Sequence, residues 1–148
     1  MASLISLEND VLRSYLFYST ILILKMMFMS FFTGSKRFKH KAFANPEDAQ
    51  KLKLKPKTDE NVERVRRAHL NDIENIPLFF VAAVIYILTN PTPSIAKMLF
   101  LVYTVARIAH TFVYAVVPIP QPARGISWFI GTAITGYMTI TSLLHFMV

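Results

Sequence analysis

The chain has 148 residues, 53% of them hydrophobic, with no cysteine and a formal net charge of +7. Without cysteine there is no disulfide framework, thiolate metal site or cysteine nucleophile. The positive charge does not point to nucleic acid, because Lys36, Arg37, Lys39, Lys41, Lys51, Lys53, Lys55 and Lys57 crowd into one short stretch between apolar segments and leave no hydrophilic domain of useful size.

The length accommodates one all-α domain with four membrane crossings of about 20 residues each, an integral membrane four-helix bundle. The N-terminus, Met1 to Asp10, carries Glu8 and Asp10 but no basic residue. It therefore lacks the basic start of a removable signal and is expected to stay on the luminal side. A first helix is expected over about 11–38, with Arg13 and Lys25 its only charges before Lys36 and Arg37 at its end, and Lys25 snorkelling or paired. The basic loop that follows, about 39–59, is expected in the cytosol by the positive-inside bias. Within it, Asn45 as N-cap, Pro46 at the first helical position and Glu47 and Asp48 in the first turn predict a short surface helix.

A second long helix is expected over about 60–89. It begins dense in charge, from Glu63 to Glu74, and ends apolar, with Pro77 predicting a kink near the junction. Asn90-Pro91-Thr92-Pro93 reads as a turn. The third helix is expected over about 95–116, ended by Pro118, Pro120 and Pro122, and the fourth over about 123–147. Along the fourth, Ser127, Gly131, Thr135 and Thr139 repeat every fourth residue, a small-residue stripe that lets helices approach closely. Four crossings put both termini in the lumen and place Arg124 at the same membrane depth as the polar half of the second helix.

Two stripes carry candidate chemistry. Arg64, Arg67, Asn71 and Glu74 fall on one face of the second helix, and Arg107, His110, Thr111 and Tyr114 on one face of the third. One reading is an interhelical network, Arg107 with Glu74 for example, that only holds the bundle together. The other is a ligand site. Arg64, Arg66, Arg67, Arg107 and Arg124 outnumber Glu63, Asp72 and Glu74, and spare guanidinium groups suit a ligand with carboxylates. Glu74 could hold a ligand ammonium. His69 and His110 lack metal-ligand spacing, so no metal is expected.

The segments Phe43-Ala44-Asn45-Pro46-Glu47-Asp48, Glu63 to Asp72 (ERVRRAHLND), Ala106-Arg107-Ile108-Ala109-His110-Thr111 and Pro120-Gln121-Pro122-Ala123-Arg124-Gly125 together resemble the membrane-associated eicosanoid and glutathione metabolism (MAPEG) family, in order and over nearly the whole chain. The resemblance implies a homotrimer with glutathione sites between subunits, open to the cytosol. It implies that Arg37, Arg66, Arg67, His69, Asn71, Glu74, His110 and Tyr114 line the glutathione site, that Arg107 supports it, and that Arg124 stabilises the glutathione thiolate with Asp48 as its partner. Leu70 and Gly125 match the family's transferase branch, where the prostaglandin-synthase branch has arginine and serine. Ala49 stands in the place of the loop cysteine of mammalian transferases, which argues against activation by thiol modification.

The implied function is a membrane glutathione S-transferase. It would conjugate glutathione, its co-substrate, to hydrophobic electrophiles and act as a glutathione peroxidase on lipid hydroperoxides. Its expected location is the endoplasmic reticulum membrane, with the mitochondrial outer membrane as a further site. Two alternatives stand beside it: a glutathione-dependent prostaglandin E synthase-type isomerase, and a non-enzymatic adaptor that presents lipid.

Overall fold

The computed structural model describes residues 6–147. The reading of the N-terminus as a retained luminal segment falls partly on residues 1–5, outside the described residues. In chain order, α1 spans Asp10–His40, α2 Pro46–Lys51, α3 Glu60–Leu88, α4 Pro93–Thr111, a π-helical turn Phe112–Val116 and α5 Ala123–Phe146, with no strand among the described residues.

Local chemistry sets these limits. The Asn9 side chain accepts from the backbone N–H of Val11 at 2.9 Å and of Leu12 at 3.3 Å, satisfying two of the unpaired donors that open α1. Lys41 closes α1 in the left-handed conformation, φ 48°, its N–H returning to the carbonyls of Arg37 and Phe38. Asn45 is the N-cap of α2 and Pro46 its first residue, as expected, but the Asn45 side chain makes no capping bond and donates to Asp48 instead, at 3.1 Å. Asp59 caps α3 by accepting from the Asn61 N–H, and that bond holds its carboxyl below the usual carboxylate range. α3 continues unbroken across Pro77.

The four long helices form a ring of contacts in which α1 and α5 each pack against both α3 and α4 and do not touch one another. The core between them is aromatic. Phe79 of α3 stacks on Tyr103 of α4 with ring centroids 3.7 Å apart, and Phe100 meets Phe79 edge-on at 6.1 Å. Gly131 lets α5 close on α4, since a Cβ there would lie 3.4 Å from the Tyr103 ring and 3.5 Å from Arg107 Cδ. The outside is as apolar as the inside: Phe17, Phe28 and Phe31 on α1, Leu78 and Val81 on α3, and Phe129 and Ile140 on α5 are all exposed. A surface of that kind belongs in lipid.

Among the described residues, three helices are long and apolar enough to cross a membrane, namely α1, α3 and α4 with its π turn. This differs from the four expected. At 24 residues α5 is long enough to cross, and after Arg124 it carries no Lys, Arg, Asp or Glu, but glycines, serines and threonines interrupt its apolar residues. Four of its hydroxyls are nevertheless spent on its own backbone. Ser127 donates to the Ala123 carbonyl, Thr135 to Gly131, Thr139 to Thr135 and Ser142 to Met138, at 2.8 to 3.1 Å.

Candidate functional site

The charged first half of α3 is the wall on which the candidate site is built. Its 3.6-residue period places Arg67, Asn71 and Glu74 along one face, where they border a groove of about 400 Å³. α4 and its π turn supply His110 and Tyr114 to the same groove, and the start of α5 supplies Arg124, Gly125 and Trp128. The turn between them adds Gln121, whose side-chain oxygen accepts from the Gly125 N–H at 3.1 Å. Arg124 lies over the Tyr114 ring, its guanidinium carbon 4.4 Å from the centroid, and the His110 and Tyr114 rings meet edge-on at 5.6 Å. Glu74 is exposed in this groove and forms no ion pair among the described residues.

A second groove, of about 420 Å³, lies between α1 and α3 and is bordered by Arg37, Arg66, Arg67 and His69. The expected glutathione residues are thus divided. Arg37, Arg66 and His69 face one groove, Asn71, Glu74, His110, Tyr114 and Arg124 the other, and Arg67 and Leu70 border both.

The guanidinium groups are less free than a count of charges suggested. Glu60, one turn before Glu63, pairs with both Arg64, at 3.8 Å, and Arg67, at 2.5 Å; Glu63 pairs with Arg66 at 2.6 Å. Spacings of four and seven residues made the Glu60 contacts legible. Glu60, Arg66 and Arg67 are largely exposed, and such surface pairs are worth about 0–1 kcal/mol each, so an anionic ligand can displace them at small cost.

Arg107 departs most from expectation. It does not border either groove and does not meet Glu74. It is 1% exposed and donates through Nη2 to Asp72 Oδ1 at 2.5 Å and to Asn71 Oδ1 at 2.9 Å. Asp72, fully buried, also accepts from Lys25 of α1 and, at 3.5 Å, from Thr111. The second stripe therefore splits: Arg107 and Thr111 turn inward to Asp72, while His110 and Tyr114 reach the groove. Lys25 is paired, one of the two outcomes foreseen for it. Asp72 as the common partner was missed, though an ammonium in an apolar helix implies an acid at the same depth.

Asp48 is not brought to Arg124 within the chain. Asn45, just before α2, shares a small cavity with Arg37 and Arg66, and among the described residues the exposed Asp48 carboxylate accepts only from Asn45. No cluster of three histidine, aspartate or glutamate side chains suited to a metal occurs among the described residues.

Comparison with known proteins agrees with this geometry. Residues 15–144 match the MAPEG family model. The chain is 46% identical to microsomal glutathione S-transferase 1 of Mus musculus, over 94% of this chain and 95% of that protein. It is 43% identical to the Homo sapiens protein of the same name over the same shares. Prostaglandin E synthase of Homo sapiens is 41% identical over 73% of this chain and 72% of that protein.

Proposed function

Because this chain belongs to the MAPEG family, we propose that it is a membrane glutathione S-transferase that joins glutathione to hydrophobic electrophiles and reduces lipid hydroperoxides. The observation that carries this reading is the convergence of Arg67, Asn71, Glu74, His110, Tyr114 and Arg124 on one groove. Glutathione is a zwitterion with two carboxylates, an ammonium and a thiol. Arginines suit the carboxylates by paired hydrogen bonds, and Glu74 suits the ammonium.

The protomer crosses the membrane four times and assembles as a homotrimer. The four α5 hydroxyls that donate to their own helix's carbonyls support a fourth crossing, since they demand no water. The division of the ligand residues between two grooves supports assembly. Docking the α1–α3 groove of one copy against the α3–α5 groove of the next joins Arg37, Arg66 and His69 to the remainder. The same docking carries α2 toward the next copy's Arg124, which gives Asp48 the role it lacks within one chain. The site then opens to the cytosol of the endoplasmic reticulum membrane, and the electrophile arrives through lipid.

In conjugation the glutathione thiol gives up its proton, sulfur bonds to the electrophilic carbon and the leaving group departs with the electron pair. With a hydroperoxide, sulfur takes the distal oxygen, leaving an alcohol and a sulfenic acid; a second glutathione converts the latter to disulfide and water. Arg124 stabilises the thiolate at the low-dielectric boundary. Lowering a thiol pKa from about 8.5 to about 6.5 raises the thiolate fraction at neutral pH roughly 25-fold, but intrinsic nucleophilicity falls roughly eightfold, a net gain of only about threefold. Most of the acceleration therefore comes from holding the two reactants in line.

The test is detergent-purified protein assayed with glutathione and an aryl halide, and in parallel with a lipid hydroperoxide. Glutathione-dependent turnover of the halide is expected. Binding of glutathione without turnover of either substrate would favour the lipid-presenting adaptor.

A further inference from the structure

Asn71 faces two ways. Its side chain borders the α3–α5 groove, while its Oδ1 accepts from Nη2 of the buried Arg107 at 2.9 Å. A guanidinium only donates, so whatever else surrounds the carboxamide, its oxygen must turn toward Arg107 and its nitrogen away. That nitrogen makes no hydrogen bond among the described residues. Arg107 itself cannot turn, because the other hydrogen of Nη2 is held by Asp72 at 2.5 Å, and Asp72 is held in turn by Lys25. Nε and Nη1 of Arg107 are buried and have no partner among the described residues, so its firm contacts to Asp72 and Asn71 all run through Nη2.

We infer that Arg107, anchored on Asp72, is a positioning residue that locks the Asn71 carboxamide with its nitrogen toward the groove, so that position 71 presents a donor to the carboxylate or peptide-carbonyl oxygens of glutathione. The inference rests on the glutathione reading above and adds to it a division of labour: Arg107 never touches the ligand and acts only through Asn71. A rotating carboxamide would offer its oxygen as readily as its nitrogen and would repel the ligand's acceptors half of the time. The chain Lys25–Asp72–Arg107–Asn71 runs from α1 through α3 to α4 and back to the groove, so the donor's direction is set by the packing of three helices.

The experiment is a double-mutant cycle on glutathione affinity, measured by calorimetry on detergent-purified wild type, Arg107→Met, Asn71→Ala and the double variant. Arg107→Met leaves the buried Lys25–Asp72 pair balanced in charge, which favours folding. Each single variant is expected to weaken binding about tenfold, the range of one lost hydrogen bond. The double variant is expected to be no weaker than Asn71→Ala alone, because Arg107 has nothing left to orient. Multiplying losses, to about 100-fold, would mean independent action and overturn the inference. Should Arg107→Met not fold, Asn71→Asp decides. Aspartate satisfies Arg107 as well as asparagine does and turns an acceptor to the groove, so a melting temperature no lower than wild type with binding weakened at least about tenfold is expected. Unchanged affinity in Asn71→Asp would overturn the inference. Wild-type protein that failed to bind glutathione at all would instead remove the function on which it rests.

Discussion

The guanidinium carbon of Arg124 lies over the Tyr114 ring, 4.4 Å from its centroid, at the point where α5 begins. A guanidinium over an aromatic face is held there by cation–π attraction and presents a planar fork of donors, which an ammonium on a flexible stem lacks. Among the described residues Arg124 forms no ion pair with a carboxylate, so its charge is available to an anion in the groove. As an interfacial anchor alone it would tolerate lysine. As the group that stabilises a thiolate it should not. Arg124→Lys and Arg124→Leu are expected to lose the ultraviolet thiolate band of bound glutathione and the greater part of turnover while still binding glutathione. A band and turnover unchanged in both would take Arg124 out of the mechanism.

Glu74→Gln and Arg67→Ala test the wall of the groove. Each is expected to remove one charge-assisted contact worth about 1.5–3 kcal/mol, or roughly 10- to 150-fold in glutathione affinity, with little effect on the chemistry of bound ligand. Equilibrium dialysis beside single-turnover rates separates the two. Normal affinity with helix content intact would make the stripe structural.

The buried charges predict a rescue. Asp72→Leu strands Lys25 and Arg107 without an anion and is expected to cost about 3–5 kcal/mol. Replacing all three, Lys25→Met, Asp72→Leu and Arg107→Met together, removes every buried charge and is expected to restore most of that loss in thermal denaturation. Glutathione affinity should stay low in the triple variant. A triple variant no more stable than Asp72→Leu would show that the three side chains do not form one unit.

At Gly131 the spacing between α5 and α4 can be read directly. Alanine places a methyl group 3.4 Å from the Tyr103 ring, ordinary contact, and gains about 1 kcal/mol of helix propensity, so an unchanged or raised melting temperature is expected. Leucine must push the helices apart and is expected to cost about 1–3 kcal/mol. Equal stability of the two variants would mean that the approach is looser than the distances indicate.

Orientation is tested on the cysteine-free background. Single cysteines at Lys53 and Thr92 lie on opposite ends of the bundle, and an impermeant thiol reagent applied to intact microsomes is expected to label position 53 and not position 92. The reverse pattern would place the ligand groove in the lumen.

The helices were legible because each announces itself locally. Asn45-Pro46 marks the start of α2, the prolines from 118 to 122 separate the last two long helices, and apolar runs of membrane length fill the intervals. The stripe Arg67-Asn71-Glu74 was legible for the same reason, since spacing along one helix defines one face. What spacing does not define is the rotation of that face relative to another helix. Arg107 could therefore be assigned to Glu74 from the pattern, although the acid that meets it is Asp72, two residues earlier. The Lys25–Asp72 contact joins residues 47 apart, and the only local hint of it is the ammonium's need for a partner. The pairing of Asp48 with Arg124 rests on resemblance alone, and within one chain the Asp48 carboxylate meets Asn45 instead.

The π turn at Phe112–Val116 lies between His110 and Arg124, with Tyr114 at its centre. A turn of this kind accommodates one residue more than an ordinary helical turn, so the direction in which Tyr114 points depends on how many residues precede it in the segment, not on which they are. Shortening the segment by one residue would swing everything after it by about 100°. Tyr114 would leave the wall and Arg124 would lose the surface on which it rests. The stretch is in that sense a counted spacer, intolerant of a change in length.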